Sequence, residues 1–193
     1  MSRKYLETIK ALDGELYHLE YHQWRLDSVL QTKNSHQLKK LLSPPKSGLY
    51  RCRVVYTQHN IEVEYIKYSK RHVKKLKLIY DDTIEYEKKY EDRERLNQLF
   101  LDKGKADDIL IIKNSFVSDT SIANVAFYDG TTWVTPHSPL LEGTTRKRLL
   151  ESGKIVLKEI RVEDIKSFKK MALMNAMVDF DIITQNNLEE IIC

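Results

Sequence analysis

The segment Tyr86-Glu-Lys-Lys-Tyr-Glu-Asp-Arg93 lies where the character of the chain changes. The sequence before it is dominated by alternating strand patterns, and a helix-like pattern begins at Arg93. Acidic residues lead into two adjacent lysines, Lys88 and Lys89. Because the patterns differ on its two sides, we predict an α+β protein in two domains, residues 1–85 and 86–193.

Composition limits the class of protein. The 193 residues include 32 Lys and Arg against 28 Asp and Glu, so the charge is mixed rather than the one-signed footprint of many nucleic-acid-binding proteins. No window approaches the roughly 18 apolar residues of a membrane span, and the start has no apolar signal-peptide region. Two cysteines are too few for a disulfide framework. We expect a cytoplasmic protein with no membrane or nucleic-acid partner.

Strand and turn signals dominate the first part. Residues 5–18 predict a β-hairpin with Asp13-Gly14 as its turn, and a helix carrying Arg25 follows over residues 19–32. Helical spacing places either Trp24 or His22 beside Leu26 on the apolar face. Strands are predicted over residues 49–57, 61–68 and 73–80. The first part is therefore expected to be an antiparallel sheet with at least one helix.

The second part mixes both periodicities. Asp92 is predicted to cap a helix over residues 93–103, and residues 109–112 form a short buried strand. Residues 117–128 and 131–135 predict a second hairpin through Asp129-Gly130. A helix is expected after Gly143, followed by a strand (155–160), a short helix (163–168) and an apolar strand (171–178).

Two features predict an anion site. Gly143, Thr144 and Thr145 stand at the start of a helix, where free backbone N–H groups and threonine hydroxyls can hold a phosphate. Ordinary helix capping by threonine is the alternative. Arg25 on the early helix can add a bidentate phosphate contact. Its alternative is a solvated surface arginine.

Three other features have simpler explanations. His18 and His22 have i, i+4 spacing, but no cysteine or third histidine joins them, so we predict no metal site. Asp119 precedes a predicted hairpin, where an aspartate usually has a structural role. The basic stretch 67–77 alternates lysines with apolar residues, which favours a solvated strand face over a nucleic-acid surface.

Four segments, taken in order, resemble the class IV aminotransferases, the pyridoxal phosphate (PLP) enzymes of fold type IV. Leu6-Glu-Thr-Ile9, Asp13-Gly14 and Leu19-Glu-Tyr-His22-Gln-Trp-Arg25-Leu26 together are similar to the family's F-E-T-I-R, D-G and L-x-x-H-x-x-R-L. Lys89-Tyr-Glu-Asp92-Arg93 is similar to K-x-x-N-R. Asp119-Thr-Ser-Ile-Ala-Asn124-Val is similar to E-G-x-x-S-N followed by Ile or Val. Leu141-Glu-Gly143-Thr144-Thr145-Arg146 is similar to the phosphate loop P-G-I/V-T-R.

The resemblance implies a fold and a set of roles. The fold is the two-domain, D-amino-acid-aminotransferase-like type, with antiparallel sheets, flanking helices, PLP between the domains and a homodimeric assembly. Lys89 is the implied catalytic residue, which binds PLP covalently and then moves the proton at the substrate Cα. The other implied cofactor-binding residues are Arg25, Thr144 and Thr145 at the phosphate, Asp119 at the pyridine nitrogen in place of the family's glutamate, and Asn124. Asn175 and Ala176 are the candidate substrate contacts.

The chain starts almost on the first motif, so it resembles a short form of the family without the usual N-terminal segment. No branched-chain substrate signature is visible. These two negative observations favour aminodeoxychorismate lyase, which releases pyruvate to give 4-aminobenzoate for folate biosynthesis. One alternative is an amino-acid transaminase of the branched-chain or D-amino-acid type. Another is a non-catalytic binding protein that keeps the fold and uses residues 67–77 on nucleic acid.

Overall fold

In a computed structural model, the protein has the α+β fold predicted from its sequence. The structure describes residues 3–33, 35–184, 188 and 192. Its helices are α1 (Leu19–Leu30), α2 (Leu38–Leu41), α3 (Glu94–Leu101) and α4 (Thr144–Glu151), with a 3₁₀ helix at Val162–Ser167. Its strands are β1 (Tyr5–Leu12), β2 (Glu15–Leu16), β3 (Leu49–Tyr56), β4 (Ile61–Lys67), β5 (Leu76–Tyr80), β6 (Asp108–Lys113), β7 (Phe116–Thr120), β8 (Asn124–Tyr128), β9 (Trp133–Pro136), β10 (Val156–Lys158), β11 (Lys170–Asn175) and β12 (Asp179–Ile182).

The chain divides into two compact units. Unit 1 contains Met1–Lys70 and Lys88–Asp92, and unit 2 contains Arg71–Glu87 and Arg93–Cys193. The sequence-based boundary between residues 85 and 86 falls inside the segment 71–87. That segment groups with unit 2 because β5 pairs with β6 over its whole length.

Unit 1 is built on a four-stranded antiparallel sheet in the order β2-β1-β3-β4. β1 and β2 form the predicted hairpin, in which Asp13 and Gly14 both adopt positive φ, as this tight turn requires. α1 packs on the sheet, and the shared core consists of Ile9, Leu26, Leu38, Leu42, Cys52, Val54 and Tyr56. Side chains alternate along β1, so Glu7 lies on the same buried face as Ile9 and Ala11.

Residues 88–92 run beside the start of β1 in unit 1. The N–H of Leu6 donates to the carbonyl of Lys89 at 2.8 Å, and Tyr5 forms an antiparallel bridge with Tyr90. The main chain of Lys89 is therefore held in register with β1.

Unit 2 contains a three-stranded sheet (β5-β6-β7) and a five-stranded sheet (β10-β9-β8-β11-β12). The pairs β5–β6 and β9–β10 are parallel, and the remaining pairs are antiparallel. β7 and β8 follow one another in the chain but belong to different sheets. Only residues 121–123 separate them, so the end of β7 lies close to the start of β8. The main core of this unit includes Leu76, Leu110, Ile112, Val125, Phe127 and Met171.

The basic stretch differs from its prediction. Residues 73–75 are not in a strand, and β5 joins a sheet of unit 2 instead of the predicted antiparallel sheet of the first part. The backbone N–H groups of Lys74 and Lys75 donate to the Asp107 carboxylate at 2.8 and 2.9 Å, which removes them from a strand ladder. Arg71 forms an ion pair with Asp108 at 3.1 Å.

Three other predicted elements are corrected. α3 has Arg93 rather than Asp92 at its N-cap and ends at Leu101. The stretch 117–128 is two strands rather than one arm of a hairpin, although the turn through Asp129 and Gly130 does join β8 to β9. The apolar segment 171–178 turns after Asn175, because its side-chain oxygen accepts from two following N–H groups. Within the described part of the chain, no helix is long and apolar enough to cross a membrane.

Candidate functional site

Lys89, the predicted catalytic lysine, is half-buried in unit 1. The hydrogen bond from Leu6 fixes its backbone. Its charge also reaches His22. The pKa of His22 is lowered mainly by burial, with a smaller lowering effect from the positive charges of Arg25 and Lys89. Lys89 therefore lies within electrostatic range of the buried face of α1.

Arg25 is held by a buried carboxylate. Its Nε donates to Glu7 Oε1 at 2.7 Å, and its Nη2 donates to Glu7 Oε2 at 2.6 Å. Arg25 is only 6% exposed and Glu7 is fully buried. The alternative of a solvated surface arginine is therefore wrong, and Arg25 is a cation held in a fixed plane inside unit 1.

His22 is the second partner of Glu7. It lies one helical turn before Arg25, so both side chains face the sheet, and its Nδ1 is 2.6 Å from Glu7 Oε2. His22 thus occupies the buried face of α1, whereas Trp24 is exposed. Burial raises the pKa of Glu7, but the charge of Arg25 and hydrogen bonds from His22 and Arg25 outweigh it and lower the pKa to about 2. An ionised carboxylate only accepts, so Nδ1 of His22 carries the donated proton.

Asp119 is buried at the end of β7, in a strand rather than the predicted turn. Its Oδ1 accepts from Asn124 Nδ2 at 2.8 Å, and its Oδ2 accepts from the N–H of Leu141 at 3.0 Å. Burial raises the pKa of Asp119 to about 6, against the lowering effect of these hydrogen bonds and of the Arg146 charge. A buried carboxylate with so high a pKa is poised to gain from a cationic partner.

Asn124 joins Asp119 to the loop before α4. Its Nδ2 also donates to the carbonyl of Leu141 at 2.8 Å. A Cβ atom built on Gly143 would overlap Asn124 Oδ1. Glycine at position 143 therefore lets the loop pass close to the Asn124 amide. Asn124 thus contacts both Asp119 and the loop before α4.

The start of α4 has the features of an anion site. Its N-cap is Gly143, which makes no side-chain cap hydrogen bond, so neither threonine is the N-cap residue that ordinary threonine capping requires. Thr144 and Thr145 occupy the first turn and are both 5% exposed. The unsatisfied N–H groups of a helix N-terminus favour a negatively charged ligand.

The two candidate substrate contacts lie at the end of β11. Asn175 Oδ1 accepts from the N–H groups of Met177 and Val178 at 2.9 and 3.1 Å, and its Nδ2 donates to the carbonyl of Ile122 at 3.4 Å. Asn175 thus contacts the loop that joins Asp119 to Asn124. Ala176 follows in the turn and is half-buried.

Sequence reasoning missed three supporting residues. Glu7 stands in the first motif, and the alternation of β1 could have placed its charge on the buried face. Arg93 donates to the carbonyl of Ser121 at 2.5 Å, beside Asp119 in the chain. Arg146 is buried and donates to the carbonyl of Pro136 at 2.8 Å. No local sequence signal identifies the partners of these two arginines, because both partners are main-chain carbonyls.

Taken one by one, the groups described in each unit fit parts of PLP chemically. The Asp119 carboxylate accepts from Asn124 and from the backbone of Leu140 and Leu141, and two carboxylate oxygens can accept about four hydrogen bonds. A protonated pyridine nitrogen would be a suitable additional donor. The start of α4 and the guanidinium of Arg25 suit a phosphate, and an amine such as that of Lys89 is the group that joins PLP covalently.

Known proteins share this fold and sequence. A family model described as amino-transferase class IV matches residues 89–185. An uncharacterized protein of Haemophilus influenzae is 36% identical over 180 residues, which are 89% of this chain and 96% of that protein. A crystal structure from Haemophilus somnus, provisionally assigned as a 4-amino-4-deoxychorismate lyase, has a TM-score of 0.80 at 33% identity, covering 92% of this chain and 97% of that chain.

A more distant structure shows the same fold. A hypothetical aminotransferase from Mycobacterium tuberculosis, in a PLP-bound form, has a TM-score of 0.73 at 16% identity, covering 94% of this chain and 80% of that chain. The predicted fold type IV architecture is thus confirmed. Since the family model spans half of the chain, this protein belongs to the amino-transferase class IV family of enzymes.

Proposed function

We propose that this enzyme uses PLP bound at Lys89 and acts as an aminodeoxychorismate lyase, working in the cytoplasm as a homodimer. The observation that carries the PLP assignment is the buried Asp119 carboxylate, held by Asn124 and Leu141 beside the uncapped start of α4. A carboxylate and an anion site linked through Asn124 suit the two ends of one cofactor that has a basic ring nitrogen and a phosphate.

Arg25, Thr144 and Thr145 are the residues proposed to bind the phosphate. The α4 N–H groups and threonine hydroxyls supply neutral donors, and Arg25 supplies the positive charge. The burial of all three residues supports this proposal, because a dianion is held more strongly where water does not compete.

Asp119 is proposed to keep a proton on the pyridine nitrogen. PLP in this state draws electrons away from the substrate carbon that bears the amino group. The pKa of Asp119, which burial raises to about 6, is expected to fall when this cationic partner binds, since an opposite charge favours the ionised carboxylate.

Lys89 is proposed to have two roles. Its Nζ would hold the cofactor covalently, and its free amine would move the proton at the substrate carbon. The hydrogen bond between Leu6 and the Lys89 carbonyl fixes the backbone from which this side chain extends. Asn175 and Ala176 remain the proposed substrate contacts.

The choice of a lyase draws support from the Haemophilus somnus structure, whose provisional assignment names this activity and which matches 97% of its length. An amino-acid transaminase is the second candidate, because the matching family model is described as amino-transferase class IV. Both activities need the same groups at Lys89 and Asp119, so substrates and products, rather than these residues, distinguish them.

A pair of product assays separates these candidates. The PLP-loaded protein is incubated with aminodeoxychorismate, and 4-aminobenzoate and pyruvate are measured. A parallel sample receives amino acids with 2-oxoglutarate, and keto acid formation is measured. We expect 4-aminobenzoate and pyruvate in equal amounts, with neither formed by Lys89→Ala. Keto acid formation dependent on 2-oxoglutarate, without 4-aminobenzoate, would refute the lyase and establish the transaminase.

A further inference from the structure

Glu7 is an acidic residue that both Arg25 and His22 contact in the buried interior of unit 1. Three hydrogen bonds of 2.6 to 2.7 Å converge on its two oxygens. Oε1 accepts from Arg25, and Oε2 accepts from both Arg25 and His22. The resemblance to the family implies no role for Glu7.

The energetics of this cluster favour a role beyond stability. Removing a carboxylate and a guanidinium from water costs several kcal/mol each, and well-packed apolar residues of similar volume often stabilise a fold equally well. Structural need alone therefore does not account for this cluster. A bidentate pair does fix the plane and direction of a guanidinium, and that is valuable where the guanidinium must meet a ligand.

The same strand also sets the position of Lys89. Leu6 binds the Lys89 backbone, and the next residue, Glu7, binds Arg25. Two adjacent residues of β1 thus fix the two proposed cofactor-binding groups. Leu6 holds the backbone of Lys89, and Glu7 holds the guanidinium of Arg25. A fixed separation of these two groups is what a rigid ligand that carries an aldehyde and a phosphate group on one ring requires.

We propose that Glu7 is a positioning residue, which orients Arg25 toward the cofactor phosphate while His22 holds the shared carboxylate oxygen in place. The proposal rests on the function proposed above. It predicts that Glu7 contributes to the recognition of the phosphate group and not to recognition of the pyridine ring.

Comparing PLP with pyridoxal, which lacks the phosphate, isolates this contribution. The dissociation constant of each is measured by visible absorbance for the wild type and Glu7→Gln. The change in their ratio, pyridoxal over PLP, between wild type and variant reports the phosphate contacts, because the internal hemiacetal that free pyridoxal forms affects every variant equally. We expect Glu7→Gln to reduce this ratio about tenfold or more, the effect of losing one charge-assisted contact, with pyridoxal affinity nearly unchanged.

Two control variants separate positioning from general damage. Glu64→Gln makes the same chemical change at an exposed position of β4. Leu42→Ala weakens the core of unit 1 at the C-cap of α2, away from the strands that carry Glu7 and its cross-strand partner. Both are expected to keep the wild-type ratio. A Glu7→Gln variant that loses PLP and pyridoxal affinity equally, or loses neither, would overturn the positioning role.

A second variant covers the case in which Glu7→Gln does not fold. Glu7→Asp keeps the charge but withdraws the carboxylate by one methylene, so it cannot maintain the bidentate contact with Arg25. It is expected to lower the ratio as well, and an unchanged ratio would overturn the inference. If the wild type forms no covalent PLP adduct, the proposed function itself fails. If it forms the adduct but substitution of Glu7 leaves the ratio of dissociation constants unchanged, the positioning role alone fails.

Discussion

Asp119 stands where the family pattern has a glutamate, and its side chain is one methylene shorter. In the structure, Asn124 and Leu141 hold both oxygens at 2.8 and 3.0 Å, so the position of this carboxylate is fixed by the protein itself. A pre-oriented carboxylate costs little reorganisation when it meets a charge.

Replacing Asp119 with Asn tests its proposed role at the ring nitrogen. The substitution keeps the shape of the side chain but removes its charge, so the nitrogen loses the group that keeps it protonated. We expect PLP to remain bound at Lys89 while kcat falls about a hundredfold, the scale of losing one strong electrostatic contact. Steady-state kinetics and absorbance titration measure the two effects. Unchanged turnover in Asp119→Asn would contradict the pyridinium role.

Glu7 predicts a specific acid sensitivity. Its pKa in the folded state is about 2, below the ordinary value of 4.5, so the folded protein binds fewer protons than the unfolded chain. The stabilisation is complete above about pH 4.5 and is lost as the pH falls through about 2, with a magnitude on the order of 3 kcal/mol. Urea unfolding of the wild type across this range should show it.

Glu7→Gln is the matched test of that sensitivity. This variant should be less stable at neutral pH, because Arg25 loses its buried partner, and its stability should depend less on pH between 4.5 and 2. Glu64→Gln should behave like the wild type. An identical pH dependence in wild type and Glu7→Gln would show that Glu7 is not the titrating group.

At the scale of elements, the start of α4 is defined by how closely its loop approaches β8. A methyl group on Gly143 would overlap the side-chain oxygen of Asn124. Asn124 is also the residue that holds Asp119. The Asn124 side chain therefore lies against both Gly143, at the proposed phosphate site, and Asp119, at the proposed site of the ring nitrogen.

We expect Gly143→Ala to weaken PLP binding by about tenfold or more, since the loop or Asn124 must move and steric changes of this kind cost about 1–3 kcal/mol. Ser152→Ala, at the other end of α4, is the control, because Ser152 is exposed and its hydroxyl donates to the carbonyl of Leu149 in the same helix at 3.1 Å. Absorbance titration with PLP measures both. Wild-type affinity in Gly143→Ala would show that the close approach is not needed.

The sequence predicted the turns and helices that depend on residues close together in the chain. The Asp13-Gly14 hairpin and the helix carrying Arg25 follow from turn chemistry and apolar spacing within a few residues. The partner of β5 did not follow, because alternation reveals a half-buried strand but not the sheet that it joins. The turn after Asn175 was also missed, since it depends on a side chain that accepts backbone hydrogen bonds within an apolar run.

At the scale of the molecule, the family pattern predicted a set of site residues. It did not identify the residues that hold these predicted site residues in place. Glu7 holds Arg25, Asn124 holds Asp119 and Arg93 binds the loop at Ser121. These contacts join residues that are 5 to 28 positions apart in the chain, so only the folded structure reveals them.

Cofactor binding should stabilise the whole protein. A ligand that binds only the folded state adds about 2.7 kcal/mol at a hundred times its dissociation constant. We therefore expect PLP to raise the Tm of the wild type in a thermal scan, and pyridoxal at equal concentration to raise it less because it lacks the phosphate contacts. Equal shifts with the two compounds would argue against a phosphate site at Arg25 and α4.

The most direct test of the account is the covalent bond at Lys89. The purified protein is supplied with PLP, its visible spectrum is recorded before and after borohydride, and the reduced protein is mapped by peptide mass spectrometry. Lys88→Ala and Lys89→Ala are treated in the same way. We predict a yellow wild type and a yellow Lys88→Ala variant, each carrying the reduced cofactor on Lys89, and no such adduct in Lys89→Ala. A colourless wild type that cannot be reconstituted, or an adduct that persists in Lys89→Ala, would contradict the account.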